Sequence, residues 1–163
     1  GSLRLFAGHA GAHPVSQSVA RLVAREAAAG VGDPATYRRF GEQVRACRDH
    51  LAAYLRGLRG GGRTVAAYGA SAKGTTLLNY CAVGADLIDF VADLSPLKQG
   101  RCMPGVGIPI VGPEQLAHRR PDFVVLLAWN LADEIARQQA AYLRQGGRFV
   151  VPIPEPHLLS DGG

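Results

Sequence analysis

Residues 64–76 read TVAAYGASAKGTT, which is a short apolar run, a glycine turn and the start of a helix. The run at 64–68 predicts a strand, and residues 75–83 predict the helix that follows the turn at 69–74. A strand that leads through a glycine turn into a helix is typical of α/β proteins. This stretch indicates the fold class, and the sequence after it repeats the pattern.

Strand–helix alternation continues to the end of the chain. It predicts strands at 87–92, 108–111, 122–128 and 148–153, and helices at 113–118 and 131–144. The run DFVVLLA at 122–128 is almost wholly apolar, which indicates a strand buried on both faces. We therefore expect residues 31–163 to form a Rossmann-like domain, an open and mostly parallel sheet with helices on both faces.

The first thirty residues have a different pattern. SLRLFA at 2–7 alternates polar and apolar residues, which predicts a half-buried strand, and 15–29 predicts an amphipathic helix that Gly30 ends. Residues 1–30 are too few to bury a core of their own. We interpret them as the end of a preceding domain plus a connecting helix, a surface that can self-associate when uncovered.

A second helix follows at once. Asp33 is expected to cap its start and Pro34 to occupy its first turn, and the helix is predicted to run to about residue 59. Three consecutive glycines at 60–62 then separate it from the strand at 64–68.

Composition narrows the functional classes. Of 163 residues, 47% are hydrophobic and 19% charged, which is typical of a globular protein. No apolar run approaches the ~20 residues of a membrane span, and no secretory signal is visible. Three widely spaced cysteines fit neither a disulfide scaffold nor a zinc ribbon, so we expect a cytoplasmic protein without its own metal site. The net charge of +5 comes without a dense basic and aromatic run, so no nucleic-acid partner is indicated.

Ligands of open α/β sheets bind beyond the carboxyl ends of the strands. This rule selects four loops, which are residues 69–76, 93–107, 129–130 and 152–157.

The first loop resembles a dinucleotide-binding turn in part. Gly69 and Gly74 match its first and last glycines, but Ser71 stands where the middle glycine is expected. Asp93, after the second strand, occupies the usual position of a ribose-binding acid. Backbone N–H groups at a helix start attract phosphate, and Lys73 is one of only two lysines. An anion site and a plain structural turn with a solvated Lys73 are both open.

The other loops contain further polar candidates. Lys98 and Arg101 can bracket a phosphate, or lie on an exposed loop that prolines stiffen. Trp129 and Asn130 can stack on and bond to a base or sugar, although we favour Trp129 as a cover of the core and Asn130 as a helix cap.

The last loop holds the one close Glu/His pair, Glu155 and His157. Flanking prolines stiffen this segment, so the two side chains are expected to point the same way. An acid–base pair and a surface tail are both open.

Four motifs that follow one another along the chain resemble those of a known family. YGASAKGTTLLNYC (68–81), DLSPLKQGRCMPG (93–105), PDFVVLLAWNLADEI (121–135) and GGRFVVPIPEP (146–156) together resemble the carboxyl-terminal domain of the S-adenosylmethionine-dependent sugar C-methyltransferases of antibiotic deoxysugar biosynthesis. The opening GSLRLFAGHAG resembles the strand that closes the methyltransferase domain of this family. The resemblance covers essentially the whole chain.

The resemblance implies a three-domain enzyme. An amino-terminal domain binds zinc, a central domain binds S-adenosylmethionine, and the carboxyl-terminal domain has a Rossmann-like fold. The implied reaction methylates a carbon next to the ketone of a nucleotide-linked deoxysugar, typically a thymidine diphosphate sugar. The catalytic base is expected in the central domain, so this chain would bind no cofactor or metal, hold no catalytic residue and be inactive alone.

The role implied for this chain is to hold the sugar nucleotide and complete the cleft against the preceding methyltransferase domain. We assign Gly69, Ser71, Lys73 and Thr75 to the diphosphate, with Lys98 and Arg101 nearby. Asn130, Glu155 and His157 are assigned to the sugar or nucleoside. Two alternatives remain open: a stand-alone nucleotide- or dinucleotide-binding module of oxidoreductase type, against which Ser71 argues, and a purely structural pseudo-domain.

Overall fold

The computed structural model describes residues 3–159, and these fall into two compact units that divide between Gln43 and Val44. In the first unit, residues 3–8 are irregular and exposed, so the strand predicted over 2–7 is wrong for its described part; residue 2 lies outside the described residues. A strand needs a neighbouring strand for its N–H and C=O groups. Alternation of polar and apolar residues in the sequence does not show whether such a neighbouring strand is present.

Two helices follow. Helix α1 is Gln17–Ala28, and the Ser16 hydroxyl accepts a hydrogen bond from the Ser18 N–H at 3.2 Å. Helix α2 is Pro34–Gly60, and it begins as predicted, since the Asp33 carboxylate accepts from the Ala35 N–H at 2.8 Å. Both predicted helices are confirmed, each with slightly different ends.

The second unit contains one six-stranded sheet. Its strands are β1 Val65–Tyr68, β2 Val91–Ala92, β3 Ile110–Val111, β4 Phe123–Leu126, β5 Arg148–Val151 and β6 His157–Leu158. Their order is β3-β2-β1-β4-β5-β6; the first five are parallel, and β6 is antiparallel to β5. The predicted Rossmann-like, mostly parallel sheet is confirmed. The sequence did not predict β6, because Pro154 and Pro156 directly before it indicate a loop.

The remaining helices are α3 Ala72–Tyr80, α4 Glu114–Arg119, α5 Ala132–Gln138 and α6 Ala140–Arg144, and Trp129–Leu131 forms a 3₁₀ turn. The single helix predicted over 131–144 is wrong, because the chain breaks at Gln139. Buried Tyr142 follows the break, and its hydroxyl donates to the Pro121 carbonyl at 2.9 Å. Helical periodicity does not reveal such a tertiary contact.

The core lies on both faces of the sheet. Val65 and Ala67 of β1 pack on one face with Leu51 and Leu55 of α2. Alternate residues of the same strand pack on the other face, with side chains from α5 and α6. All four residues of β4 are buried, which confirms the prediction of a doubly buried strand. No helix within residues 3–159 is long and apolar enough to cross a bilayer.

Candidate functional site

The chain leaves β1 and β4 in opposite directions. It passes from β1 toward β2 and β3 on one side, and from β4 toward β5 and β6 on the other. Adjacent parallel strands whose connections diverge open a crevice at their carboxyl ends, where α/β proteins bind ligands. We call this place the carboxyl-edge crevice and define it by residues 69–73 after β1 and 127–131 after β4.

Gly69 allows the two loops to meet. Its φ is +91°, and a Cβ atom there would lie 3.1 Å from the Cβ atom of Ala128. Both the backbone conformation and the close approach favour glycine. The first glycine of the motif is therefore required by the geometry of the crevice.

Ser71 caps helix α3. Its hydroxyl accepts from the Gly74 N–H at 3.1 Å and donates to the Leu127 carbonyl at 3.2 Å. The Thr75 hydroxyl donates to the Ser71 carbonyl at 3.1 Å. Ser71 thus replaces the middle glycine of a dinucleotide motif with a cap that also ties α3 to the end of β4. Both hydroxyls form bonds within the crevice wall.

A cation, an amide and an aromatic ring meet across the crevice. The Lys73 ammonium donates to the Asn130 side-chain oxygen and lies 4.2 Å from the centroid of the Trp129 ring. Asn130 makes no helix-capping bond, so the favoured interpretation of it as a cap is wrong. Trp129 is half-buried and packs against the core as expected, but it also presents its ring to Lys73. These three side chains are the centre of the candidate site.

Lys98 lies beneath the first loop. Its ammonium donates to the Ala70 carbonyl at 2.9 Å and to the Asp93 carboxylate at 3.3 Å. Asp93 is the one buried charged residue among those described, and it accepts from the N–H groups of Ala70 at 2.6 Å and Ser95 at 2.8 Å. The Asp93–Lys98 pair therefore holds the loop in position and leaves its polar atoms already bonded.

Replacing Lys98 with methionine is expected to lower the free energy of unfolding by about 1–2 kcal/mol. The variant leaves the Asp93 carboxylate buried without its cation, and the cost is moderated because the Lys98 side chain is 44% exposed. Urea unfolding measures the change. Arg101→Met is the matched control and should stay within about 0.5 kcal/mol of the parent. Equal stability of both variants would contradict the positioning role.

Arg101 lies beside β3 on the loop that follows β2. It is exposed, and its carbonyl accepts from the Ile110 N–H at 2.7 Å beside β3, the outermost strand. Within residues 3–159 its side chain makes no hydrogen bond or ion pair. The structure does not bring it into contact with Lys73 or Lys98.

Glu155 and His157 have different partners from those expected. The Glu155 carboxylate lies 3.8 Å from the Nδ1 atom of His50 on α2, whereas the His157 ring nitrogen lies 2.8 Å from the Glu155 carbonyl oxygen. His50 was missed because nothing in its local sequence indicates that α2 faces the loop after β5.

Tyr68 is a further titratable residue at the carboxyl edge of the sheet. Tyr68 ends β1 and is buried, and burial raises the pKa of its hydroxyl. The side chain stays neutral near pH 7 and is within 3.5 Å of the Gln139 amide. Tyr68 belongs to the core. Lys73, Asn130 and Trp129 together suit the binding of an anionic ligand that contains a ring. They offer it a positive charge, an amide and an aromatic surface.

The open, mostly parallel sheet defines a Rossmann-like domain. The chain belongs to the C-methyltransferase C-terminal domain family, whose model matches residues 1–154. It is 44% identical over 161 residues to the C-methyltransferase NovU of Streptomyces niveus. That alignment covers 98% of this chain and 38% of the relative, so the chain spans well under half of the relative's length. The family resemblance is thereby confirmed.

Proposed function

We propose that this chain is the substrate-binding part of a C-methyltransferase that acts on a nucleotide-linked keto-deoxysugar, with thymidine diphosphate as the nucleotide. The observation that supports this proposal best is the meeting of Lys73, Asn130 and Trp129 at the carboxyl-edge crevice. Family membership supplies the reaction class.

Each side chain then has a separate role. The Lys73 ammonium and the amino-terminal N–H groups of α3 attract the diphosphate. The Trp129 ring packs on the base or the sugar, and the Asn130 amide bonds to its polar edge. Gly69 lets the loops after β1 and β4 meet, while Ser71 and Thr75 shape the wall. Lys98 acts through the loop, and Arg101, Glu155 and His157 serve the outer parts of the ligand (Glu155 with His50 beside it).

The proposed reaction needs a precisely held substrate. A base elsewhere in the enzyme would remove the proton next to the sugar ketone, and the resulting enolate carbon would take the methyl group from the sulfonium of S-adenosylmethionine. The sulfur–methyl bond would break as the carbon–carbon bond forms, and S-adenosylhomocysteine would leave. Orientation of the two reactants provides much of the acceleration in such a step. In the proposal, the base, the methyl donor and the zinc belong to other domains of a cytoplasmic enzyme. No group of three or more His, Cys, Asp or Glu side chains within residues 3–159 is placed to hold a metal ion.

The first unit supplies the contact with the preceding methyltransferase domain. Leu5, Phe6 and Val15 are 81%, 90% and 82% exposed, and α1 buries none of its residues. Exposed apolar residues in such numbers mark an interaction surface. The greater length of NovU leaves room for such a domain.

This surface is expected to make the isolated chain self-associate. Combined Phe6→Asp and Val19→Asp substitutions should shift it toward the monomer at concentrations of tens of micromolar, as measured by sedimentation velocity. Leu97→Asp, at another exposed apolar residue, is the control and should have no effect. A monomeric parent chain, or an equal effect of the control, would contradict the assignment.

Calorimetric titration tests the proposed substrate. Thymidine diphosphate should bind saturably, whereas S-adenosylmethionine and NAD should not. Binding of NAD would favour an oxidoreductase, and binding of S-adenosylmethionine would overturn the division of roles between domains. If no nucleotide binds, the chain has no autonomous site, and a structural pseudo-domain becomes the better account.

A further inference from the structure

A polar cavity lies at the edge of the sheet opposite the carboxyl-edge crevice. Its volume is about 210 Å³, and it is formed at the amino ends of β1, β4 and β5. The residues that line it are Arg63, Asp122, Phe123, Gly146 and Arg148. None of them belongs to the carboxyl-edge crevice. We call it the amino-edge cavity.

Two arginines and one aromatic ring line the amino-edge cavity. Phe123 is the partner of Val65 on β1 and of Arg148 on β5. Arg63 lies two residues before Val65, just outside β1, and its guanidinium donates to the Asp122 carboxylate at 3.3 Å. The Arg148 guanidinium lies 5.7 Å from the centroid of the Phe123 ring. Phe123 is thus the apolar floor of the cavity, and the guanidinium groups form its walls.

The charges of the cavity do not cancel. The Asp122 carboxylate accepts from the Thr64 N–H at 2.8 Å, from the Thr64 hydroxyl at 2.7 Å and from Arg63 at 3.3 Å. These hydrogen bonds, first from the Thr64 backbone, lower the pKa of Asp122, so the carboxylate is already satisfied.

The nearby Arg59 is paired with Asp89 at 2.6 Å. Arg148, by contrast, has no carboxylate within ion-pair distance among residues 3–159 and is exposed beside Phe123. Two cations and one carboxylate line the cavity, which leaves one net positive charge.

We propose that the amino-edge cavity binds a phosphate group, free or as a monoester, with Arg148 as its main ligand and Arg63 as the second. A guanidinium presents several N–H donors in a planar fork that matches two oxygens of an oxyanion. The aromatic floor keeps the Arg148 guanidinium beside the cavity. This site is separate from the sugar-nucleotide site proposed above, and its occupation does not depend on that proposal.

The test titrates inorganic phosphate and ribose 5-phosphate into the full chain at low ionic strength, with phosphorus NMR line broadening as the readout. The titrations are made in a Lys73→Met background, so that the carboxyl-edge crevice does not contribute. Arg148→Gln should weaken binding at least about tenfold. Arg144→Gln, which removes an exposed arginine outside the cavity lining, should leave binding unchanged.

The two ligands distinguish the source of the phosphate. Binding of both indicates a site for free phosphate, and binding of ribose 5-phosphate alone indicates a site for a phosphorylated ligand; either supports the proposal if it is lost with Arg148. Absence of binding at millimolar concentration, or an equal effect of Arg144→Gln, would overturn it. Far-UV circular dichroism confirms that each variant is folded.

Discussion

Replacing Lys73 with methionine is expected to weaken thymidine diphosphate binding about ten- to a hundredfold. Methionine keeps most of the length of the side chain but removes the cation that contacts Asn130 and Trp129 across the carboxyl-edge crevice. A charge-assisted hydrogen bond to a phosphate contributes about 1.5–3 kcal/mol, which corresponds to that change in affinity. Calorimetric titration of the parent and the variant measures the difference.

A second variant tests whether a general loss of positive charge, rather than the loss of Lys73 itself, explains weaker binding. Arg56→Met removes one exposed cation from α2 and should change the dissociation constant by less than twofold. Thermal unfolding of both variants checks that the fold is kept. Unchanged affinity in Lys73→Met would mean that the crevice is not the nucleotide site.

Gly74→Ala is expected to lower the free energy of unfolding by about 1–3 kcal/mol, through overpacking of the core. Gly74 is a buried residue of α3, and a Cβ atom there would lie 2.7 Å from the Cβ atom and 3.2 Å from the Cδ1 atom of Leu127. The new methyl group forces α3 away from the end of β4, so nucleotide affinity should fall as well. Urea unfolding measures the loss of stability.

Gly57→Ala provides the matched control. Gly57 lies in α2, and a Cβ atom there would have no neighbour within 4 Å. Alanine is the better helix former, so this variant should gain up to about 1 kcal/mol. If Gly74→Ala stabilises the protein as Gly57→Ala does, the contact between α3 and β4 is looser than the structure shows.

The sequence predicts the central strands of the sheet better than the elements around them. The apolar run of β4 and the glycine turn after β1 are local signals, and both gave the correct elements. β6 and the break at Gln139 depend on tertiary contacts, such as the hydrogen bond from Tyr142 to Pro121, that no local pattern records. The strand predicted at 2–7 showed alternation, but none of the described strands pairs with that segment.

The candidate site was predictable in position and less so in detail. The strand-end rule selected the loops of Lys73 and Asn130, which the structure joins. It gave no means of knowing that Lys98 bonds to Ala70 beneath the loop, because that contact depends on the path of residues 93–107. His50 was out of reach for a similar reason, since it meets Glu155 only through the packing of α2.

The central claim, that the carboxyl-edge crevice holds the sugar nucleotide, is tested most directly by NMR mapping of thymidine diphosphate on the isotopically labelled chain. If the crevice holds the nucleotide, the amide resonances of residues 69–74 and the side-chain amide of Asn130 shift together and saturate at one ligand per chain. Shifts confined to residues around Arg63 and Arg148, or no shifts at saturating nucleotide, would contradict it.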